Sequence, residues 1–139
     1  MSVISQGTWT VTVMTGNENQ YSGTETDVYL TITGSEGTSR ELVITDKLLR
    51  NQAQTFTFTN IGNVGVISSL NVRLGPGRDG WEFESIVLQN TQNQYSFVYG
   101  NWLSNWHGRE YPQDVTLIYV YSEDIGKFYI HMTNAGKIC

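Results

Sequence analysis

Thr10-Val11-Thr12-Val13-Met14-Thr15-Gly16-Asn17, then Ser22-Gly23-Thr24-Glu25-Thr26-Asp27-Val28-Tyr29-Leu30-Thr31-Ile32, is the stretch whose reading decides the fold of this chain. Val11 and Val13 alternate with Thr10 and Thr12, and Val28, Leu30 and Ile32 alternate with Tyr29 and Thr31. A period of two gives an extended chain one apolar and one polar face, the pattern of a half-buried strand. Gly16 and Gly23 bracket a polar loop, with Glu18 inside it and Glu25 and Asp27 just beyond. The stretch reads as strand, loop, strand.

The same pattern continues outward. Only two prolines, fourteen glycines and short alternating runs of Thr, Val, Ile and Tyr indicate an all-β domain. Strands are expected at 8–15, 27–33, 38–45, 54–59, 67–74, 81–89, 95–99 and 115–121. The run 41–50 has the best claim to a helix, but its first half continues a hairpin through Gly34–Gly37, so it reads as strand then loop. Gly, Asn and Asp turns at regular spacing imply two packed antiparallel sheets, an eight-stranded β-sandwich. Its expected core is Val11, Val13, Val28, Leu30, Ile32, Phe56, Phe58, Leu70, Val72, Phe83, Ile86 and Phe97. Beyond Tyr121 a turn leads into 127–132, an extra C-terminal hairpin strand that would either cover a sheet edge or form an edge by which two chains associate.

With 139 residues the chain suits one domain, 1–139, able to bury a core without staples. Its one cysteine, Cys139, allows neither an intrachain disulfide nor a cysteine-based zinc or redox site. The start, 1–7, lacks a basic region followed by a long apolar stretch, and no apolar run approaches a bilayer span. Neither signal peptide nor transmembrane helix is therefore expected, and a cytoplasmic or peripheral membrane location is the expectation. Eight Lys plus Arg, spread singly in a chain of net charge −5, argue against nucleic-acid binding, which needs clustered cations. They argue equally against attraction to anionic lipid by charge alone.

Four segments carry a resemblance to a known family. The opening is the first. Ile61-Gly62-Asn63-Val64-Gly65 before the strand at 67–72 is the second, and Asp79-Gly80-Trp81-Glu82-Phe83-Glu84-Ser85-Ile86 the third. Tyr95-Ser96-Phe97-Val98-Tyr99-Gly100-Asn101-Trp102-Leu103 is the fourth, with Tyr99 where the family often has Cys. Together, over 8–121, they resemble the PLAT (LH2) domain, the β-sandwich module of lipoxygenases and pancreatic-type lipases, leaving 122–139 as a C-terminal extension. The resemblance implies a non-catalytic module that works at lipid surfaces.

Catalytic chemistry finds few candidates. His107 and His131 are the only histidines, too few for a multi-histidine metal site, and no Gly-x-Ser-x-Gly elbow is present. His107 is expected in a surface loop and His131 on an edge strand. Glu82 and Glu84 share a strand face at i, i+2 and are expected to be solvated. The glycine-rich 75–80 lacks the Lys-Ser/Thr and helix of a phosphate loop. No enzyme activity is expected.

Modules of this family in lipoxygenases often hold calcium where loops meet at one end of the sandwich. Carried over, the resemblance nominates Glu25, Asp27 and Asp79 as calcium ligands, while Leu74-Gly75-Pro76-Gly77 departs from the His-Asp-Asn run of many members. Aromatic side chains are the other candidates for contact. Trp9 and Trp81 lie in strands and read as core, whereas Tyr21 in the first loop, Trp102, and Trp106 in the connection 101–113 are expected to touch membrane or partner. The expected function is docking on a lipid membrane or a lipid-linked or protein partner. The alternative is a toxin-like or structural interaction domain that assembles with another polypeptide through its edge strands, oligomerising through the C-terminal strand. Exposed Trp and Tyr on a sandwich also suggest carbohydrate recognition, by fold analogy alone.

Overall fold

The computed structural model describes residues 7–106, 110–122 and 126–132, with side chains described as far as Tyr119. Ten strands form in chain order: β1 (Thr8–Thr15), β2 (Val28–Gly34), β3 (Gly37–Thr38), β4 (Leu42–Ile44), β5 (Ala53–Thr59), β6 (Ile67–Leu74), β7 (Gly80–Gln89), β8 (Gln94–Ser104), β9 (Asp114–Ser122) and β10 (Gly126–Met132). One sheet runs β5-β1-β7-β8, and the other β10-β9-β6-β2-β3, with β4 also paired to β2. Every pairing is antiparallel.

The alternation in the opening stretch does what its period predicts. Val11, Val13, Val28, Leu30 and Ile32 are fully buried between the sheets, joined by Leu70, Val72, Phe83, Ile86 and Phe97. Phe56 and Phe58 pack against that core while staying half-exposed, because β5 is an edge strand with less above it. Trp9 and Trp81 are buried, as packing demands of large rings in strands. Trp81 stacks on Phe83 with ring centroids 4.6 Å apart, and Phe83 on Tyr99 at 4.7 Å.

Two strands depart from their expected bounds by more than one residue at an end. The strand expected over 38–45 is split into β3 and β4, because Ser39 substitutes its side chain for the ladder. The Ile32 amide donates to Ser39 Oγ at 3.0 Å, and the Arg40 amide turns away to the Ile61 carbonyl. The strand expected over 95–99 instead runs on to Ser104. It passes a bulge, where the pairing jumps from Ser85–Val98 to Phe83–Asn101 and Gly100 adopts a φ of 65°, a left-handed conformation costly for a side-chain-bearing residue. Trp102 thus lies in β8, opposite Glu82, and not in a loop. The C-terminal hairpin forms as read: β10 pairs with β9 and becomes an edge of its sheet. His107 and Cys139 lie outside the described residues, as does the side chain of His131.

Candidate functional site

The strand register brings four connections to one end of the sandwich. Val28 pairs with both Ile44 and Leu74, Gly80 with Ser104, Arg73 with Asp114, and Thr15 with Phe83. Segments 16–27, 45–52, 75–79, 105–106 and 110–113 therefore share this end. Backbone bonds tie them together, from the Asn51 amide to the Gly16 carbonyl, Gly75 to Asp27, and Ser104 to Pro112.

A buried carboxylate holds the first of these loops. Glu82 is only 6% exposed, and its Oε1 accepts from the Glu18 amide at 3.0 Å and from Ser22 Oγ at 2.8 Å. The Glu82 backbone also brackets the loop, its amide donating to the Ser22 carbonyl and its carbonyl accepting from Gly16. A Cβ at Gly16 would collide with the Glu82 carboxyl, so only glycine admits this approach. The expected solvated Glu82–Glu84 pair is thus corrected: Glu84 is exposed, but the loop 16–23 folds across Glu82 and hides it.

The nominated calcium ligands are used otherwise. Asp79 Oδ2 accepts from Thr24 Oγ1 at 2.5 Å and Thr26 Oγ1 at 3.3 Å, and Oδ1 accepts from the Gly80 amide. Glu25 pairs with Lys47 at 3.7 Å on the surface, and Asp27 stands just before β2 with its carbonyl bonded to the Gly75 amide. Among the described residues, no three of His, Cys, Asp and Glu gather as a metal site. Calcium requires six to eight oxygens, several of them from carboxylates. With the Asp79 oxygens committed to hydroxyl and amide donors, the three acids as arranged do not fit a resident calcium ion.

The aromatic candidates do converge. Tyr21, Trp102 and Trp106 line one cleft of about 410 Å³, with Glu18, Asn19, Arg78, Asp79, Gly80, Ser104 and Tyr111. Tyr21 is 71% exposed, Trp106 44% and Tyr111 40%. Trp102 is half-buried, its indole N–H donating to Glu18 Oε1 at 2.8 Å and its ring tilted against Tyr111 at 6.2 Å. Asn105 braces the segment 75–79, its Oδ1 accepting from the Asp79 amide at 2.7 Å and its amide nitrogen donating to the Gly75 carbonyl. Glu18, Asn19, Arg78, Gly80, Ser104 and Tyr111 are the lining residues that sequence reasoning missed. For Tyr111 the signal was present, since it shares the aromatic connection that carries Trp106.

The PLAT/LH2 family profile matches residues 9–118, most of the chain. The chain belongs to the PLAT/LH2 domain family. PLAT domains are non-catalytic modules that bind lipids or proteins. Among solved structures, this PLAT module resembles part of a lipoxygenase variant captured with arachidonate, with a TM-score of 0.69, 19% identity, and coverage of 81% of this chain and 16% of that one. It resembles coral 8R-lipoxygenase, described as activated by calcium through a C2-like domain, with TM-score 0.67, 19% identity, and 83% and 17% coverage. It also resembles the alpha toxin of Clostridium absonum, with TM-score 0.60, 19% identity, and 72% and 30% coverage. At these identities the likeness is one of fold, and the PLAT chain spans only a small part of each. No curated protein sequence matches it. No helix among the described residues is long and apolar enough to cross a membrane.

Proposed function

We propose that this PLAT module is a non-catalytic docking element that adsorbs to lipid membranes by its aromatic end. The observation that carries the reading is the convergence of Tyr21, Trp102, Trp106 and Tyr111 on one end, three of them well exposed. Amphipathic rings suit the boundary between water and acyl chains. Two half-buried rings remove on the order of 200 Å² of surface from water, worth roughly 5 kcal/mol at about 25 cal/mol per Å². Association costs take back much of this. Adsorption is then weak, reversible and nearly independent of salt, because screening acts on charge and hardly on apolar transfer. Flotation with neutral vesicles tests it. Co-flotation that persists from low to physiological salt supports insertion, and binding that vanishes over that range removes it.

Calcium gives a second reading, favoured by the coral enzyme, whose calcium activation is ascribed to its C2-like domain. It would require Thr24 and Thr26 to release the Asp79 carboxylate so that it could join Asp27 and Glu25. Binding to the folded state alone raises the melting temperature by linkage. An upward shift with millimolar calcium, lost in Asp79→Asn, supports that rearrangement, whereas an unchanged melting temperature leaves these acids as loop fasteners. Assembly with another polypeptide through an edge strand such as β10 is the competing use of the fold, and a monomeric mass by light scattering would eliminate its self-associating form.

A further inference from the structure

We propose that the outer edge of β5 pairs antiparallel with β5 of a second copy of this chain, about a two-fold axis at Thr57. The proposal goes beyond the docking reading and does not depend on it. β5 ends its sheet, with β1 on one side and no described strand on the other. An open edge is a row of unpaired amides and carbonyls, and proteins blunt it with short strands, charge, proline or bulges. The other edges of the described strands each carry such a device. β3 and β4 are two and three residues long and flank Arg40 and Glu41, β8 is interrupted by the bulge at Gly100, and β10 carries Lys127. β5 has none of these. Ala53-Gln54-Thr55-Phe56-Thr57-Phe58-Thr59 holds neither charge nor proline, and its pairing with β1 is unbroken.

The register fixes which groups point outward. The Asn60 amide donates to the Gly7 carbonyl and the Thr15 amide to the Gln52 carbonyl, so the even-numbered residues of β5 bond to β1. Bonding direction alternates residue by residue along an antiparallel strand, which turns the amides and carbonyls of Thr55, Thr57 and Thr59 outward. In keeping with that, the Thr59 carbonyl accepts from the Arg40 guanidinium at 3.0 Å. Arg40 fastens this end of the edge, and the Gln54 side chain, bonded to the Lys47 carbonyl and the Leu49 amide, fastens the other. Between them Thr-Phe-Thr-Phe-Thr reads the same in both directions. Paired about Thr57, its exposed threonines meet on the solvent face, and Phe56 stands opposite Phe58 of the second copy on the core face. Both rings pack on the core yet stay half-exposed, and an added strand covers them. The Thr57 amides and carbonyls bond one another, and Thr55 bonds Thr59, whose carbonyl keeps a second lone pair beside Arg40. Such a contact is self-complementary and closed. An unrelated polypeptide can pair with any open edge, but the palindrome singles out a second copy.

Sedimentation equilibrium without lipid tests the pairing. Antiparallel strands set the two aromatic ends at opposite poles, clear of the contact, so the mass is read independently of docking. One strand pair is a small interface, and a monomer–dimer equilibrium between micromolar and millimolar protein is expected. Thr57→Pro should abolish the dimer with little loss of melting temperature, since the outward Thr57 amide takes no part in the β1 ladder. Thr57→Lys, a variant that keeps the backbone donor, sets like charges opposite each other at the axis. It should lose the dimer at low salt and regain part of it at high salt. Amide exchange at Thr55, Thr57 and Thr59 should slow as concentration rises, while Phe56 and Phe58, already bonded to β1, stay unchanged. A monomer at every concentration overturns the proposal, whatever the protein does on vesicles. So does a dimer that persists in both variants, or one whose concentration-dependent protection lies in β10.

Discussion

At the end of the sandwich that carries segments 35–36, 60–66 and 90–93, compact turns close on themselves through backbone bonds and local side-chain bonds, the Val66 amide donating to Ser35 Oγ and the Gln92 and Asn93 amides to Asn90 Oδ1. The Ser35 and Glu36 amides donate to the Val66 and Val64 carbonyls, and the Asn90 amide to Asn93. At the opposite end, side chains fasten the longer loops: Glu82 holds the loop 16–23, Asp79 the segment 24–26, and Asn105 the segment 75–79. The exposed apolar groups divide the same way. Among the described residues, Val66 is the exposed apolar side chain of the first end, while Tyr21, Leu49, Trp106 and Tyr111 crowd the second. Compact turns closed on themselves leave little room for a ligand. Loops held from beneath by buried and half-buried polar side chains can keep aromatic rings turned toward solvent, and that is where a binding surface can be built.

The two ends share one core, and breaking it should release both. Leu30 is fully buried in β2, so Leu30→Ala is expected to destabilise by about 2–5 kcal/mol in chemical denaturation. Hydrogen exchange should show both ends losing protection together. Protection lost at one end only would mean that the ends unfold independently.

Glu82 sharpens the contrast from the functional side. Glu82→Ala leaves the Glu18 amide and the Ser22 hydroxyl without their acceptor, at a cost of about 2–3 kcal/mol. Exchange and proteolysis should accelerate across 17–23, and vesicle partition should fall, because Tyr21 loses its support. Glu82→Gln keeps a carbonyl oxygen able to accept both bonds, so it should recover most of the loop protection. Equal loosening in both variants would show that the loop needs the charge itself. The smallest effect belongs to the other end. Val66→Ser removes an exposed side chain from a turn held by bonds to its backbone amide and carbonyl, and stability should stay within about 0.5 kcal/mol with partition unchanged.

Much of this was legible in the sequence, for a physical reason. Period-two alternation follows directly from strand geometry, so 8–15 and 67–74 could be read to the residue. Where side chains or glycines override the ladder, the pattern fails. Ser39 interrupts the strand expected over 38–45, and the bulge at Gly100 carries β8 beyond its expected end. The alternation also places Glu82 on the face opposite Trp81 and Phe83, but it cannot show that a loop from the far side of the sequence will cover that face. Tyr21, Trp102 and Trp106 could be named from ring type and position. That they share a cleft with Glu18, Arg78 and Tyr111 depends on how three separate connections meet at one end, which no local pattern encodes.

The central claim is that the aromatic end alone meets the membrane. The most direct measurement is the partition coefficient of Tyr21→Ala, Trp106→Ala and Val66→Ala on neutral phosphatidylcholine vesicles, with melting temperatures confirming the fold of each. Tyr21→Ala and Trp106→Ala should each lower partition by about five- to thirtyfold, corresponding to roughly 1–2 kcal/mol of lost apolar burial, while Val66→Ala matches the parent. Partition unchanged in both aromatic variants, or lowered equally by Val66→Ala, would contradict it.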